Sequence, residues 1–123
     1  MGNPSLLSVG QEWLVDASGC PAARLTDRVV LAGLFEALIV ELKLQVVGSP
    51  QWHVFPPPSG ITGLALLSES HLAIHTFPEH GYAALSVYSC RPRTQPQLEA
   101  MVKQHLQATS LTVRTLPREA LTR

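Results

Sequence analysis

Three strand candidates follow one another between residues 63 and 89, and they limit the fold more than any other part of the chain. Residues 63–68 and 71–76 flank the Glu69–Ser70 bond, and residues 82–89 are rich in β-branched and aromatic side chains. Further strands are predicted at residues 12–17, 44–47, 51–55 and 111–116. Residues 56–60 must be a connection, because consecutive prolines cannot donate the hydrogen bonds of a strand ladder.

Two helices complete the predicted fold. Residues 27–43 carry apolar side chains at helical spacing, and Thr26 is placed to cap this helix. Residues 94–97 have the order of a capping box, after which one helical stripe is formed by Leu98, Met101, Val102, His105 and Leu106. The chain end from Pro117 is expected to be frayed. The order of elements predicts a single domain, residues 1–123, with an α+β fold: a two-layer sandwich whose mainly antiparallel sheet has two helices on one face.

The composition is that of a folded globule with no net charge. Hydrophobic residues make up 46% of the chain and charged residues 15%, which favours one packed core. Nine basic and nine acidic residues cancel, so nucleic acid and anionic membranes are disfavoured as partners. Because no apolar run could span a membrane and the N-terminus lacks the order of a signal peptide, we predict a cytoplasmic protein. Cys20 and Cys90 lack paired-motif spacing, so no disulfide is expected.

One segment carries most of the functional signal. Residues 68–84 read SESHLAIHTFPEHGYAA, which joins a Glu-Ser bond to several histidines in an apolar setting, and Cys90 follows shortly after. The segment resembles the self-cleavage site of the small prokaryotic S-adenosylmethionine decarboxylases. Their pattern is close to Glu-Ser-His-hydrophobic-Ser-Ile-His-Thr-Trp-Pro-Glu-Tyr-Gly-Tyr-Ala-Ala. The likeness spans most of residues 10–115, and its specific part runs from residue 60 to residue 90.

The resemblance implies that the chain cuts itself into residues 1–69 and 70–123. Ser70 Oγ would attack the carbonyl carbon of Glu69 and convert the amide into an ester, which then breaks by β-elimination once a base removes the Ser70 α-proton. The dehydroalanine that is left hydrolyses to a pyruvoyl group. This ketone forms a Schiff base with a substrate amine and serves as the electron sink for decarboxylation. The implied substrate is S-adenosylmethionine, whose decarboxylated form is the aminopropyl donor of polyamine (spermidine) biosynthesis.

The same resemblance assigns roles to individual residues. His75 matches the processing histidine, and Cys90 matches the thiol that acts as an acid in turnover. Thr62 stands where the family's Gly-Val-Ser-Gly run has a serine whose hydroxyl assists processing. Phe55 matches an aromatic residue that stacks the adenine, and Phe77 stands where the family usually has tryptophan, so both are assigned to substrate binding. The family further implies a homodimer whose site lies near the subunit boundary.

Two alternatives stay open. The chain departs from the family pattern at Phe77, at His80 and in the Arg-Pro-Arg run at residues 91–93. These departures could be drift, or they could mark a member of the family that decarboxylates a simple amino acid, such as arginine or ornithine, through the same pyruvoyl group. The chain could instead be an unprocessed relative that acts as a binding or regulatory module. Such a protein has no need of the Glu69–Ser70 bond together with His75 and Cys90, which argues against this second alternative.

The spacing of the histidines argues against a metal site and raises a question about geometry. His71 and His75 have the spacing of a zinc helix, but four residues of strand span roughly 13 Å, too far for one ion. Ser70 and His75 are five positions apart, an odd number, so plain alternation puts them on opposite faces of the strand. We therefore expect a bulge or kink between them, or a redirection of the new terminus after cleavage. Glu79, after Pro78, is assigned to a turn.

Overall fold

The computed structural model describes residues 5–90 and 97–122, which form one sheet with helices packed on one face. In these residues the strands are β1 (Leu6–Ser18), β2 (Gln51–Val54), β3 (Ile61–Leu67), β4 (Ser70–Phe77), β5 (Tyr82–Ser89) and β6 (Ser110–Leu121). The α-helices are α1 (Ala22–Leu25), α2 (Arg28–Glu41) and α3 (Leu98–Leu106), and a 3₁₀ turn covers Pro78–His80. The predicted α+β sandwich is confirmed, with the one-turn helix α1 as an addition. No helix of the described ranges is long and apolar enough to cross a membrane.

The strands form a single antiparallel sheet in the order β2-β3-β4-β5-β1-β6. Strands β3, β4 and β5 are neighbours both in sequence and in space, so short local connections build the centre of the sheet. β4 is paired with β3 from Ser70 to His75 and with β5 from Ser70 to Phe77, without a shift of register. The segment that carries the functional signal is therefore held on both sides.

One face of the sheet packs against the helices and forms the core. Along β4 the side chains of Leu72, Ile74 and Thr76 are buried, because successive residues of a strand point to opposite faces. The helices cover this face with Leu31, Leu34, Phe35 and Leu38 of α2 and with Leu98, Val102 and Leu106 of α3. Each fully buried aliphatic side chain of this kind contributes about 1.5–3 kcal/mol to folding. Packing of the apolar face thus fixes which side chains point the other way.

The opposite face of the sheet is here called the open face. Its central residues alternate with the buried ones and are Thr62, Leu64 and Leu66 on β3, His71, Ala73, His75 and Phe77 on β4, and Tyr82, Ala84, Ser86 and Tyr88 on β5. Leu64 and Leu66 are 49% and 60% exposed. These two leucines of β3 therefore form an apolar patch on the open face that one copy of the chain leaves in contact with solvent.

The start of α2 differs from the sequence prediction. Thr26 as the cap is wrong, because this residue ends α1, where its hydroxyl donates to the carbonyl oxygen of Ala22 at 3.0 Å. Asp27 caps α2 instead, and its carboxylate accepts a hydrogen bond from the Val29 N–H at 2.9 Å. Both residue types favour the N-cap position, so only the presence of α1 decides between them.

Two strand predictions are wrong in extent. Residues 44–47 make only an isolated bridge, between Val46 and Leu67, because Lys43 and Gly48 have φ values of 55° and 74° and turn the chain on either side. The chain is not frayed from Pro117, since β6 pairs with β1 as far as Leu121. A proline fits here because β6 is the last strand in the described sheet order. Of the predicted capping box, residues 94–96 lie outside the described residues.

Replacing the observed cap should destabilise the fold. We expect Asp27→Ala to lower the free energy of unfolding by about 1 kcal/mol, since it leaves a helical N–H without its acceptor. Thr26→Ala should cost less, because its hydroxyl bonds only within the one-turn helix α1. Urea unfolding of the two variants measures the difference. A larger decrease in the free energy of unfolding for Thr26→Ala would identify Thr26, and not Asp27, as the cap.

Candidate functional site

The Glu69–Ser70 bond lies at the tip of the hairpin between β3 and β4. Ser68 and Glu69 form its turn, and Ser70 is the first residue of β4. Ser70 pairs with Leu67 on β3 and with Ser89 on β5, so both neighbouring strands fix its backbone. The bond that is predicted to break thus joins the last residue of this turn to the first residue of β4.

The backbone of Cys90 contacts this bond directly. The Cys90 N–H donates a hydrogen bond to the carbonyl oxygen of Glu69 at 2.9 Å. That carbonyl is the one that Ser70 Oγ would attack, so the N–H lies where it can stabilise negative charge that develops on the oxygen. The Cys90 thiol is free and exposed, one residue beyond the end of β5. Sequence reasoning missed the N–H contact, because a backbone donor leaves no signal in residue type.

A second group of predicted residues lies further along the sheet. Thr62 on β3 is the register partner of His75 on β4, and Thr62 Oγ1 lies 3.1 Å from His75 Nδ1. Both side chains are on the open face, and His75 is exposed to solvent. A hydrogen bond to Nδ1 orients the ring and leaves Nε2 available for proton transfer. The structure therefore joins the two residues that the resemblance assigns to processing.

This pair borders a cleft of about 380 Å³. The cleft is lined by Phe55, Pro56, Pro58, Gly60, Thr62, His75, Thr76, Phe77 and Glu79. Phe55 and Phe77, the two predicted substrate-binding residues, are 47% and 42% exposed there. Glu79 belongs to the 3₁₀ turn, as its assignment to a turn implies, but it also lines the cleft, which its local sequence did not indicate. The cleft thus combines aromatic walls with one histidine and one carboxylate.

The two groups are separate in a single copy of the chain. The ladders on both sides of β4 run without a shift, so the expected bulge or kink between Ser70 and His75 is wrong. Five residues of strand span roughly 16 Å. Ser70 also alternates with buried Leu72 and Ile74, whereas His75 points to the open face. The chain therefore presents two half-sites, Glu69–Ser70 with Cys90 and Thr62 with His75.

A polar network lies on the open face beside His75. The Tyr82 hydroxyl donates to the Asp16 carboxylate at 2.5 Å, and Arg114 pairs with the same carboxylate at 3.2 Å. The hydrogen bond to Asp16 raises the pKa of Tyr82, so its hydroxyl stays protonated to higher pH than usual. The Tyr82 ring lies 5.7 Å from the Phe77 ring. This network supports a wall of the cleft from the side of β1 and β6.

The histidines of β4 are not arranged around a common point. The His71 ring stacks on Tyr88 with 5.7 Å between centroids, and His71 lies four residues along β4 from His75. In residues 5–90 and 97–122 no group of three or more histidine, cysteine, aspartate or glutamate side chains could hold a metal ion. Extended backbone keeps His71 and His75 roughly 13 Å apart.

Comparisons with known proteins agree with the resemblance at the cleavage motif. The model of the S-adenosylmethionine decarboxylase family matches residues 11–119. S-adenosylmethionine decarboxylase proenzyme 2 of Halalkalibacterium halodurans is 36% identical over 115 residues, which cover 90% of this chain and 87% of that protein. The proenzyme of Acetivibrio thermocellus is 40% identical over 92 residues, which cover 72% of this chain and 70% of its own. The fold is similar to the crystal structure of the adenosylmethionine decarboxylase from Aquifex aeolicus, with a TM-score of 0.75, 27% identity, and coverage of 90% and 91% of the two chains. On this evidence the chain belongs to the S-adenosylmethionine decarboxylase family.

Proposed function

We propose that this chain is a proenzyme that cleaves itself at Glu69–Ser70 and then decarboxylates S-adenosylmethionine. The observation that supports this most strongly is the turn at the bond, where the Glu69 carbonyl oxygen accepts the Cys90 N–H at 2.9 Å. Relatives in the same family are named proenzymes, which agrees with a cleavage step. A pyruvoyl group formed from Ser70 fits the site, because a terminus created at the start of β4 would stay paired with β3 and β5.

Cleavage needs only groups of the chain itself and one water molecule. Ser70 Oγ attacks the Glu69 carbonyl carbon, the C–N bond breaks, and the hydroxyl proton passes to the Ser70 nitrogen, which leaves an ester. A base removes the Ser70 α-proton, the bond between Cβ and Oγ breaks, and Glu69 departs as a carboxylate. Water then hydrolyses the dehydroalanine to the pyruvoyl ketone, and the nitrogen is released as ammonia. The net reaction consumes one water and needs no oxidant. The Cys90 N–H stabilises the charge on the Glu69 oxygen during the first step.

We assign the base to His75 of a second copy of the chain. Within one copy, His75 is roughly 16 Å from Ser70 along β4 and faces the other way. The open face carries exposed Leu64 and Leu66 and a sheet usually buries such a face against another layer. Packing two open faces about a twofold axis would bury these leucines and place each Thr62–His75 pair at the subunit boundary. The proposed homodimer thus completes two sites from two pairs of half-sites.

The cleft favours S-adenosylmethionine over a simple amino acid. Phe55 and Phe77 offer aromatic faces on which a planar base can stack, and the volume of about 380 Å³ is within the usual range for small-molecule sites. The Glu79 carboxylate can accept hydrogen bonds from sugar hydroxyls or attract a sulfonium charge. The side chain of ornithine has no planar group that could stack on the rings of Phe55 and Phe77, and the guanidinium of arginine would cover only part of these rings.

Turnover uses the half-site that contains Cys90. The pyruvoyl carbonyl supplies the electron sink for the electrons released with carbon dioxide. Cys90 lies one residue beyond Ser89, the register partner of Ser70, and its backbone N–H bonds to the Glu69 carbonyl, so this residue lies beside the bond that would be cleaved; its thiol is exposed. We assign to this thiol the protonation of the substrate carbon after carbon dioxide leaves. The cytoplasmic location stays a prediction from the sequence.

The first test is the mass of the purified chain. The parental protein should appear as two fragments, residues 1–69 and 70–123, and the second fragment should carry a carbonyl at its start. Ser70→Ala should remain one chain of about 13.3 kDa, because it lacks the attacking hydroxyl, whereas Ser70→Cys should still cleave slowly through a thioester. Cleavage of Ser70→Ala at Glu69 would contradict the mechanism, and an intact parental chain would favour a binding module.

The second test separates the substrates. Carbon dioxide release from S-adenosylmethionine, arginine and ornithine should be fastest with the first. Phe77→Ala should raise KM for S-adenosylmethionine by about tenfold, since loss of a stacking aromatic costs roughly 1–3 kcal/mol. Val29→Ala, at an exposed position on α2, is the matched control and should leave KM unchanged. Preferred release from arginine or ornithine would assign the chain to the amino acid decarboxylases of the family.

The third test concerns the proton donor. Cys90→Ser should still cleave at Glu69, because the backbone N–H of residue 90 is kept. Turnover should slow, since a hydroxyl is a much weaker acid than a thiol. Protonation at the wrong carbon would then convert the pyruvoyl group into alanine. A mass spectrum of the fragment that begins at residue 70 detects this product, and full activity without it would remove Cys90 from the mechanism.

A further inference from the structure

Thr76 is a buried hydroxyl in an apolar layer. Among the described residues, only Thr76 and Ser89 are polar and buried, and Thr76 is 5% exposed. Its hydroxyl donates to the carbonyl oxygen of Leu25 at 2.8 Å and accepts a hydrogen bond from the Ile61 N–H at 2.8 Å. Valine would fill the same volume on this face of β4, so the hydroxyl is explained by its two hydrogen bonds and not by packing.

Both bonds act next to the Thr62–His75 pair. Thr76 follows His75 on β4, and Ile61 precedes Thr62 on β3. Thr62 with His75 is the last register pair of the ladder between these strands. The next backbone donor, the Ile61 N–H, bonds to the Thr76 side chain. The end of the ladder is therefore fixed by Thr76 from the face opposite to the pair.

The chain before β3 approaches Thr76 as well. A Cβ added to Gly60 would lie 2.6 Å from the Thr76 carbonyl oxygen, so only glycine allows this contact. Gly60 ends the proline-rich connection of residues 56–60, whose prolines cannot donate to a strand. On its other side the start of β3 is held by β2, where Ile61 pairs with Val54 and the Phe55 N–H donates to the Gly60 carbonyl oxygen at 2.9 Å. The Thr76 hydroxyl is the side-chain tie between the start of β3 and the end of β4.

We propose that Thr76 is a positioning residue for self-cleavage, which holds the hydroxyl of Thr62 within hydrogen-bond distance of His75 Nδ1. The inference rests on the proposed function, because it needs His75 as the base of processing. Thr76 anchors β3 and β4 together and ties both to the end of α1 through Leu25. Small displacements of a catalytic group have large effects on rate, so the loss of this anchor should slow cleavage by about 10- to 100-fold.

The test compares rates of cleavage of the full chain as it is newly made by cell-free translation, followed over time by intact mass. Thr76→Val removes both hydrogen bonds at constant volume and should slow cleavage, whereas Thr76→Ser keeps the hydroxyl and should restore the parental rate. Ile74→Val, on the same buried face of β4, is the control for loss of packing and should leave the rate nearly unchanged. Parental cleavage in Thr76→Val would overturn the proposal. Absence of cleavage in the parental chain would instead overturn the proposed function.

A double-mutant cycle distinguishes positioning from general stabilisation. Thr62→Val should slow cleavage in the parental chain but add little in Thr76→Val, because both changes release the same histidine. The effects of Thr62→Val and Ile74→Val should multiply. The proposal would be contradicted if the fold-reduction of the cleavage rate in the Thr62→Val, Thr76→Val double variant equalled the product of the two single reductions. Gly60→Ala forces the same two backbone segments apart, so it replaces Thr76→Val if that variant does not fold, and parental cleavage in Gly60→Ala would equally contradict it.

Discussion

The pairing of β4 with both of its neighbours is the constraint on which the site depends. It sets Thr62 beside His75, sets Ser70 beside Ser89, and brings the Cys90 N–H to the Glu69 carbonyl. The same ladders keep β4 straight, which separates the bond to be cleaved from the proposed base. A β4 paired without a shift of register does not bring the two half-sites together within one copy, which supports the proposed homodimer.

The two faces of the sheet divide the tasks between them. The covered face supplies the apolar core and holds the Thr76 hydroxyl, whose two bonds fix the ends of β3 and α1. The open face carries the Thr62–His75 pair, the aromatic wall at Phe77 and the Asp16 network behind it. Because alternate residues of one strand serve both faces, His75 and Thr76 are neighbours in the chain with different roles.

Sequence patterns predicted the parts of this structure that are local. Alternation along β3, β4 and β5 gave these strands with nearly correct bounds, because the hairpins need only short-range information. The full length of β6 depends on its pairing with β1, about a hundred residues away in the chain, so composition near Pro117 could not indicate it. The motif named Ser70, His75 and Cys90, whose roles stay predictions. The odd spacing of Ser70 and His75 indicated that they lie on two faces of a strand. Their division into two half-sites could be recognised only from the register of β4 with β3 and β5.

The most direct test of a shared site mixes two inactive variants. His75→Ala lacks the base and Ser70→Ala lacks the attacking hydroxyl, so each alone should stay uncleaved. If two copies share the site as proposed, a mixed dimer supplies the His75→Ala chain, which keeps Ser70, with the His75 of the Ser70→Ala chain. The account predicts that co-refolding yields fragments 1–69 and 70–123 of the His75→Ala chain only, which intact mass identifies by the alanine at position 75. A mixture that stays uncleaved, while the parental chain cleaves under the same conditions, would contradict a site built from two copies.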